Sequence, residues 1–597
     1  MTQQVPCPQD EQENDIHLMP PLTSVDGDHL NKEAAEASTG FAGGASRPHV
    51  DVLEKVSGKT RYSQDFWMEG MLYGGVLRSP HASARILSIH TEAARQLPGV
   101  HAVLSATDLP GQKCYGGPTV LDHPVLAGER VMYTGQAIAL VAAESREVLK
   151  QALQLIDVHY EILPAIFDPL EALRADAPQI GPTGNLAARE RLNCGDAALG
   201  LAEADVVVEQ TYQTTWIDHA PLETESGAAW FDKEGQLVLR VGTQTLEYLA
   251  QIAAVVALPP EQVRVICPLV GGGFGRKLDI TLELYLALLT RKTRKPVFMS
   301  TSREESILAY AKRHPFLMHY KTGATSEGML TAMEVDIVAD AGPFVYRSSL
   351  VCVHALMLAT GPYFVPHVSI DVRAIHTNNV FTSAMRAVGG PQVNFAYESQ
   401  MDQLAMKLNL DPLEFRRRNY LQRGQSLPNG QVMQHAALLD EAARQAWEAL
   451  EHAPAIKLTG SQKMGRGLSA NFSGYGVPGS QATCALEMAR DGRVLVSLGV
   501  CDLGGGQRSS IAQVVASVLH IPLSQVLLCT ADTATTPFVG ATAGSKTLYY
   551  SSQVAKRAAE ALRQRLLKLA ATILEAQEED LLLSAGRIQA RDHAECG

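Results

Sequence analysis

A glycine-rich segment, residues 271–277, carries the strongest local signal for chemistry in the sequence. It lies between a predicted strand over 263–266 and a predicted helix over 280–289, an order that exposes backbone N–H groups to an anionic ligand. Two known phosphate-binding fingerprints do not fit. A dinucleotide fingerprint and a P-loop both need glycine at Arg276, and a P-loop also needs Ser or Thr at Leu278. A tight strand-to-helix turn is the alternative interpretation of these glycines.

Three further segments have similar potential. Gln244 stands between two threonines at the end of a predicted strand, and Arg386 precedes Gly389 and Gly390, where a guanidinium can clamp a phosphate. Residues 540–547 form a loop of small residues before a predicted helix, again a geometry that accepts anions. Taken singly, Gln244 is also typical of a capping residue, Arg386 with its glycines of a structural turn, and residues 540–547 of an ordinary loop.

In their order and spacing, these segments resemble the molybdenum hydroxylase family, of the xanthine dehydrogenase and aldehyde oxidase type. Within that family they are most similar to the large molybdopterin-binding subunit. The resemblance extends from about residue 50 to the end of the chain. The residues that carry it are His219-Ala220-Pro221-Leu222-Glu223, Thr243-Gln244-Thr245, 271–277, Met385-Arg386 with 389–392, and 541–545.

The resemblance implies a pterin cofactor whose dithiolene holds molybdenum, so that no protein side chain need ligate the metal. The cofactor-binding residues that it implies are Gln244, Gly273, Phe274, Gly275, Arg386, Ala543, Gly544 and Ser545. Four of them, Gln244, Phe274, Arg386 and Gly544, are expected nearest the molybdenum. The loop 504–507 resembles the family's Gly-Gln-Gly element, with Gly505 in place of the glutamine.

The implied reaction is oxidative hydroxylation of an aldehyde or an N-heterocycle. Leu278, His354 and Val388 fall where purine-oxidising members of the family carry an acidic residue, an arginine and an aromatic residue. Losing these groups removes hydrogen-bond recognition that is worth several kcal/mol. We therefore expect these three residues to line a substrate pocket with weak or no activity on xanthine.

The catalytic base has no candidate in this sequence. In the family it is a glutamate in a Gly-x-Gly-Glu motif, and that motif does not occur in these 597 residues. The resemblance therefore predicts a C-terminally truncated chain, a fragment or one half of a split subunit. Losing a general base costs roughly 10²–10⁴-fold in rate. A truncated, inactive homologue that only binds cofactor or partners is the alternative function.

The elements that must position these residues predict an α+β fold. The resemblance implies a small domain of the α/β-hammerhead type, residues 50–165, followed by two mixed α/β molybdopterin-binding domains, 201–430 and 431–597, the last one partial. Residues 1–48 are polar and acidic and predict a disordered arm. Residues 166–200, with their Pro and Gly clusters, predict a linker.

Composition sets the cellular context and the partners. The net charge of −12 disfavours nonspecific binding to nucleic acid or to an anionic membrane. Nine scattered cysteines, none in a C-x-x-C pattern, indicate reduced thiols and no iron–sulfur cluster within this chain. No signal peptide or apolar run of membrane-spanning length is present, so the expected location is the cytoplasm. The resemblance implies a hetero-oligomer in which separate chains carry [2Fe-2S] clusters and FAD.

Overall fold

The computed structural model describes residues 48–117, 120–434, 438–454, 458–474 and 481–590. Apart from Pro48, the predicted disordered arm lies outside the described residues. Within these ranges no helix is both long enough and apolar enough to cross a bilayer.

The chain alternates strands and helices, which confirms the predicted mixed α/β architecture. The strands are β1 (Leu72–Arg78), β2 (Ala84–His90), β3 (Val100–Leu104), β4 (Cys114–Tyr115), β5 (His123–Pro124), β6 (Arg130–Val131), β7 (Ala137–Ala143), β8 (Asp157–Ile162), β9 (Leu186–Cys194), β10 (Val206–Gln213), β11 (Ser226–Phe231), β12 (Leu237–Val241), β13 (Val263–Ile266), β14 (Val297–Ser300), β15 (Phe316–Ala324), β16 (Leu330–Asp340), β17 (His367–Ile375), β18 (Ala485–Met488), β19 (Val494–Leu498), β20 (Val526–Thr530), β21 (Leu581–Ser584) and β22 (Arg587–Ala590).

The helices cover the faces of these sheets. They are α1 (Val52–Val56), α2 (Glu92–Gln96), α3 (Arg146–Gln154), α4 (Pro169–Ala172), α5 (Ala197–Ala202), α6 (Leu249–Val256), α7 (Glu283–Thr293), α8 (Arg303–Ala309), α9 (Ser348–Leu358), α10 (Gly390–Leu408), α11 (Pro412–Asn419), α12 (Leu439–Glu451), α13 (Gln507–Leu519) and α14 (Thr547–Leu574).

A seven-stranded sheet joins the first predicted domain to the second. Its order is β13-β12-β11-β14-β1-β7-β3, and Leu72 of β1 pairs in parallel with Val297 of β14. Every residue of β7 is buried, because helices cover both faces of the sheet. The hammerhead region and the first large unit therefore share one sheet and one core.

A five-stranded sheet, in the order β10-β15-β16-β17-β9, corrects the predicted linker over 166–200. That segment contains α4, α5 and the nine-residue edge strand β9, which pairs antiparallel with β17. The strand contains three consecutive charged residues, 189–191, and none of its residues is fully buried, because one face meets solvent, where Arg189 binds Asp371. An edge strand of this kind has little apolar signal, and the Pro and Gly clusters before it concealed it.

The last unit is a three-stranded sheet, β18-β19-β20, covered by α13 and α14. It meets the first large unit where several strands end. The backbone N–H of Cys267 donates to the carbonyl of Ala531 at 2.8 Å, and that of Val270 donates to the carbonyl of Asp502 at 3.2 Å. The loops after β12, β13, β19 and β20 therefore converge, which is where α/β proteins bind ligands.

Candidate functional site

Gln244 is the residue that joins the converging loops. Its side chain is 3% exposed. Its Nε2 donates to the carbonyl of Thr542 at 2.9 Å, and its Oε1 accepts the backbone N–H of Gly275 at 2.8 Å. The backbone carbonyl of Gln244 also accepts the N–H of Thr542 at 2.8 Å. We call Gln244 with the loops 271–275 and 541–545 the glutamine cradle.

Glycines in the cradle make room that a side chain would fill. A Cβ at Gly273 would lie 2.6 Å from Gln244 Oε1, and one at Gly275 would lie 2.2 Å from the carbonyl of Ala384. Phe274, between them, has a φ of 54° and a ring that is partly exposed. This backbone turns sharply, and the absence of Cβ atoms lets Gln244 and the carbonyl of Ala384 pack directly against it.

A buried ion pair fixes the base of the same loop. Lys277 Nζ lies 2.9 Å from Glu223 Oε2, which also accepts the backbone N–H of Gly271 at 2.8 Å. The other carboxylate oxygen of Glu223 accepts the N–H of Ser63 at 3.2 Å. Glu223 therefore positions the glycine loop, and both of its carboxylate oxygens are engaged by protein groups.

A second buried charge cluster lies behind the loop. Arg276 binds Asp218 and donates to the carbonyl of Ala311 at 2.8 Å, while Lys312 Nζ lies 3.0 Å from Asp218. Burial opposes ionisation of Asp218, yet Arg276 and Lys312 hold its pKa at about 2. Burial, reinforced by Arg276, lowers the pKa of His219 to about 3, so that His219 is neutral at pH 7.

Arg386 and the loop 541–545 flank the opening of the cradle. The backbone N–H of Arg386 donates to the carbonyl of Phe274 at 2.8 Å, and the Arg386 side chain is exposed without a partner among the described residues. Gly544 and Ser545 have φ values of 61° and 52°. Ala543 is half-buried, whereas Gly544 and Ser545 are exposed. These exposed groups place a guanidinium and backbone N–H donors beside the cradle.

The structure brings together two of the three predicted substrate residues. Leu278 is buried against Ala384 and Ala541, and Val388 and Ala543 pack on the same apolar cluster. His354 lies outside this cluster, half-buried on α9, where burial lowers its pKa. Leu278 and Val388 therefore belong to one apolar cluster, which adjoins the cradle through Ala541 and Ala543.

Sequence reasoning missed the residues that organise the loop 504–506. Asp502 Oδ1 accepts the N–H groups of Gly504 at 3.0 Å and Gly506 at 3.3 Å, and its Oδ2 accepts that of Arg508 at 3.1 Å. The Gln507 amide folds over Gly505, since a Cβ there would meet Gln507 Nε2 at 2.8 Å. An aspartate two residues before a glycine run is typical of such a turn, and that signal was available in the sequence.

Two polar side chains beside this loop are buried without protein partners. Gln507 Oε1 and both Nε and Nη2 of Arg508 make no hydrogen bond within the described ranges, although Arg508 is only 4% exposed. A buried guanidinium without a partner is costly. The orphaned N–H groups of Arg508 therefore fit an anionic group, whereas Gln507 Oε1 fits a hydrogen-bond donor.

Within the described residues, no group of His, Cys, Asp and Glu side chains is arranged to hold a metal ion. The cradle instead offers amide, backbone N–H and guanidinium donors around open glycine backbone. Such a donor set suits a planar ring system with a phosphate tail.

Three family models match the chain. The aldehyde oxidase and xanthine dehydrogenase a/b hammerhead domain matches residues 57–164. Models of the molybdopterin cofactor-binding domain match residues 180–420 and 441–596.

Relatives and solved structures extend this similarity. The nicotinate dehydrogenase large molybdopterin subunit of Eubacterium barkeri is 38% identical over 421 residues, which are 70% of this chain and 98% of that protein. The xanthine dehydrogenase molybdenum-binding subunit of Escherichia coli O157:H7 is 31% identical over 563 residues, 90% of this chain and 74% of that protein. Quinoline 2-oxidoreductase from Pseudomonas putida 86 superposes with a TM-score of 0.83 at 27% identity, over 93% of this chain and 75% of that one. The aldehyde oxidoreductase of Desulfovibrio gigas gives a TM-score of 0.81 at 27% identity, over 92% and 65% of the two chains.

Proposed function

The chain belongs to the molybdenum hydroxylase family of the xanthine dehydrogenase and aldehyde oxidase type, as a molybdopterin-binding large subunit, and on this basis we propose that the glutamine cradle holds the pterin cofactor. The chain is an oxidoreductase subunit. When bound, the molybdenum of the cofactor supplies the oxidising centre for hydroxylation of a substrate carbon. The observation that carries the proposal is the bridge that Gln244 makes between loops from two domains.

Each cradle residue has a task that follows from its geometry. Gln244 uses one N–H of its amide on Thr542, which leaves the second N–H to donate to the cofactor. Gly273 and Gly275 let the Gln244 side chain and the carbonyl of Ala384 approach the loop backbone because they lack a Cβ. Arg386 and the N–H groups around Gly544 bind its anionic parts. Arg508 has two buried nitrogens without a partner among the described residues, and it stabilises negative charge of the cofactor from the side of the loop 504–506.

The apolar cluster of Leu278, Val388 and Ala543 supports an apolar substrate. A purine such as xanthine needs hydrogen-bonding partners along its edge, and a site that lacks them forfeits the corresponding binding energy. Aldehydes and simple N-heterocycles expose a carbon for hydroxylation with fewer polar groups to satisfy. Relatives and structural neighbours are named for nicotinate, nicotine, quinoline, aldehyde and xanthine oxidation, so the apolar cluster, and not these names, carries the choice of substrate class.

The assembly is a hetero-oligomer, as the names of the relatives indicate. We propose that its other chains carry [2Fe-2S] clusters and FAD and remove the electrons. The cysteines among the described residues are all free, which supports a reducing, cytoplasmic location.

A substrate panel tests the proposal. The enzyme, purified with its partner chains, is assayed with quinoline, nicotinate, benzaldehyde and xanthine and a dye as electron acceptor, and its molybdenum content is measured. We expect near-stoichiometric molybdenum and a higher kcat/KM for an aldehyde or a simple heterocycle than for xanthine. Efficient xanthine turnover would overturn the substrate class, and absence of molybdenum would overturn the role of the cradle.

A matched pair of variants links the substrate to the apolar cluster. Leu278→Ala and Leu284→Ala both truncate a buried leucine, at a cost of roughly 2–5 kcal/mol in stability each. Leu284 belongs to the core of the seven-stranded sheet and Leu278 to the apolar cluster. Only Leu278→Ala should therefore raise the KM of the preferred substrate. Equal KM values for the two variants would remove Leu278 from the substrate pocket.

A further inference from the structure

A pocket of about 320 Å³ opens between the hammerhead region and the first large unit. Its apolar wall is formed by Leu104 at the end of β3, Pro110, Phe231 at the end of β11, Leu258 and Leu288. We call it the joint pocket. Its volume lies at the lower end of the ~300–1,000 Å³ range of small-molecule sites, which occur preferentially at domain interfaces.

The joint pocket is separate from the glutamine cradle. Helix α7 begins at Glu283, soon after the glycine loop, and its far end at Thr293 adjoins the pocket. Eleven helical residues span roughly 16 Å at 1.5 Å per residue. A ligand in this pocket does not contact the cradle, so it is not the substrate of the proposed reaction.

Three cations line the same pocket: Arg291, Lys292 and Arg294. None of the three forms an ion pair with a residue that the structure describes. The guanidinium of Arg294 stacks over the Phe231 ring, 4.3 Å from its centroid. In a chain with a net charge of −12, this is an unusual concentration of uncompensated positive charge.

The acidic residue of the pocket does not neutralise these cations. Asp108 Oδ2 accepts the N–H of Ser105 at 2.8 Å and its hydroxyl at 3.0 Å, and it also binds Arg95. The Asp108 carboxylate therefore interacts with its own turn and with Arg95, which lies outside the pocket.

The helix dipole accounts for only part of this pattern. The helix dipole stabilises cations in the last turn of a helix, and this explains the positions of Arg291 and Lys292. Arg294 lies beyond the last turn in the left-handed region, with a φ of 56°, where glycine is favoured. A cation held there, stacked on an aromatic ring at the mouth of an apolar cavity, is not needed to end the helix.

We propose that the joint pocket binds a small organic anion that combines an aromatic ring with a phosphate or a carboxylate. The ring packs against Leu104, Pro110 and Leu258, and the anionic group binds the guanidinium groups of Arg291 and Arg294. Arginine suits this task because its planar fork binds phosphate and carboxylate in a bidentate manner. Because the pocket walls come from two domains, the bound anion also ties these domains together.

Titration calorimetry on the purified holoenzyme tests the combination of ring and charge. AMP and benzoate carry a ring with a phosphate or a carboxylate, adenosine and benzyl alcohol carry a ring alone, and inorganic phosphate carries charge alone. We expect saturable binding of AMP or benzoate, at least about tenfold tighter than that of the three partial probes. Binding of AMP alone indicates a phosphate ester, and binding of benzoate alone a carboxylate. Equal binding of inorganic phosphate, or no saturable binding of either complete probe, would overturn the proposal.

Variants locate the binding. Arg291→Gln with Arg294→Gln should weaken binding roughly tenfold or more, because two charge-assisted hydrogen bonds are lost. Lys295→Gln is the matched control, since Lys295 is an exposed cation of the same segment that does not line the pocket. Leu258→Trp fills the cavity without changing its charge and should also abolish binding. Binding that survives the double variant and Leu258→Trp would place the ligand elsewhere and refute the proposal.

Discussion

Gly273→Ala is the sharpest test of the glutamine cradle. The new Cβ would lie 2.6 Å from Gln244 Oε1, and real Cβ atoms do not approach a neighbour so closely. The clash must displace the amide, which then releases both the N–H of Gly275 and the carbonyl of Thr542. Each buried group left without a partner costs ~1–3 kcal/mol, so the cradle should lose about 2–6 kcal/mol in local stability.

Hydrogen exchange measures this loss directly. Local opening that is easier by about 2 kcal/mol accelerates exchange of the Gly275 amide by about 30-fold, and molybdenum content should fall in parallel. Gly465→Ala is the control, because nothing lies within 4 Å of the position that its Cβ would occupy.

A double-mutant cycle identifies the cause. If the clash with Gln244 is responsible, Gly273→Ala should have little further effect in a Gln244→Ala background. The reasoning fails if Gly273→Ala leaves exchange and molybdenum content unchanged. It also fails if the loss is as large when Gln244 is already truncated.

Three further outcomes follow from the same site. Lys277→Met should lower the free energy of unfolding by about 3–5 kcal/mol, because it leaves Glu223 buried and unpaired, and adding Glu223→Gln should restore part of the loss in urea denaturation. Burial and Arg276 lower the pKa of His219 to about 3 from an ordinary value of 6.5, so the unfolded state binds more protons between these values and stability should fall as the pH drops from about 6.5 toward 3. His219→Gln should make that decline shallower, and an unchanged pH profile would contradict this. Arg386→Ala should reduce molybdenum content without changing the thermal unfolding of the cofactor-free protein, because its side chain is exposed; a shift in unfolding would indicate a structural role instead.

The sequence predicted elements well where β-branched apolar residues are frequent. The predicted strand over 263–266 is confirmed as Val263–Ile266, in which three β-branched residues accompany Arg264. The edge strand Leu186–Cys194 was missed because its partner strand, not its own sequence, stabilises it. Helix α7 begins at Glu283 and not at residue 280, because Thr281 hydrogen-bonds to the Glu283 carboxylate and stays outside the helix.

The candidate site was predictable as residue types but not as contacts. Gln244 and the glycine loop stand out because few residues tolerate that backbone or that burial. The ties that Glu223 makes to Ser63, and Gln244 to Thr542, join positions 160 and 298 residues apart. No local periodicity encodes such pairs. The roles of the cradle residues and the exact domain limits remain predictions that the variants above can test.

The span of the Gln244 bridge also sets an order of events during biosynthesis. The two halves of the cradle are encoded 298 residues apart, so a ribosome completes the second half long after the first has emerged. Until the last unit folds and docks, Gln244 lacks its partner Thr542. Under the proposed role of the cradle, cofactor insertion follows docking of the two domains, and nascent chains that stop before Thr542 should emerge empty.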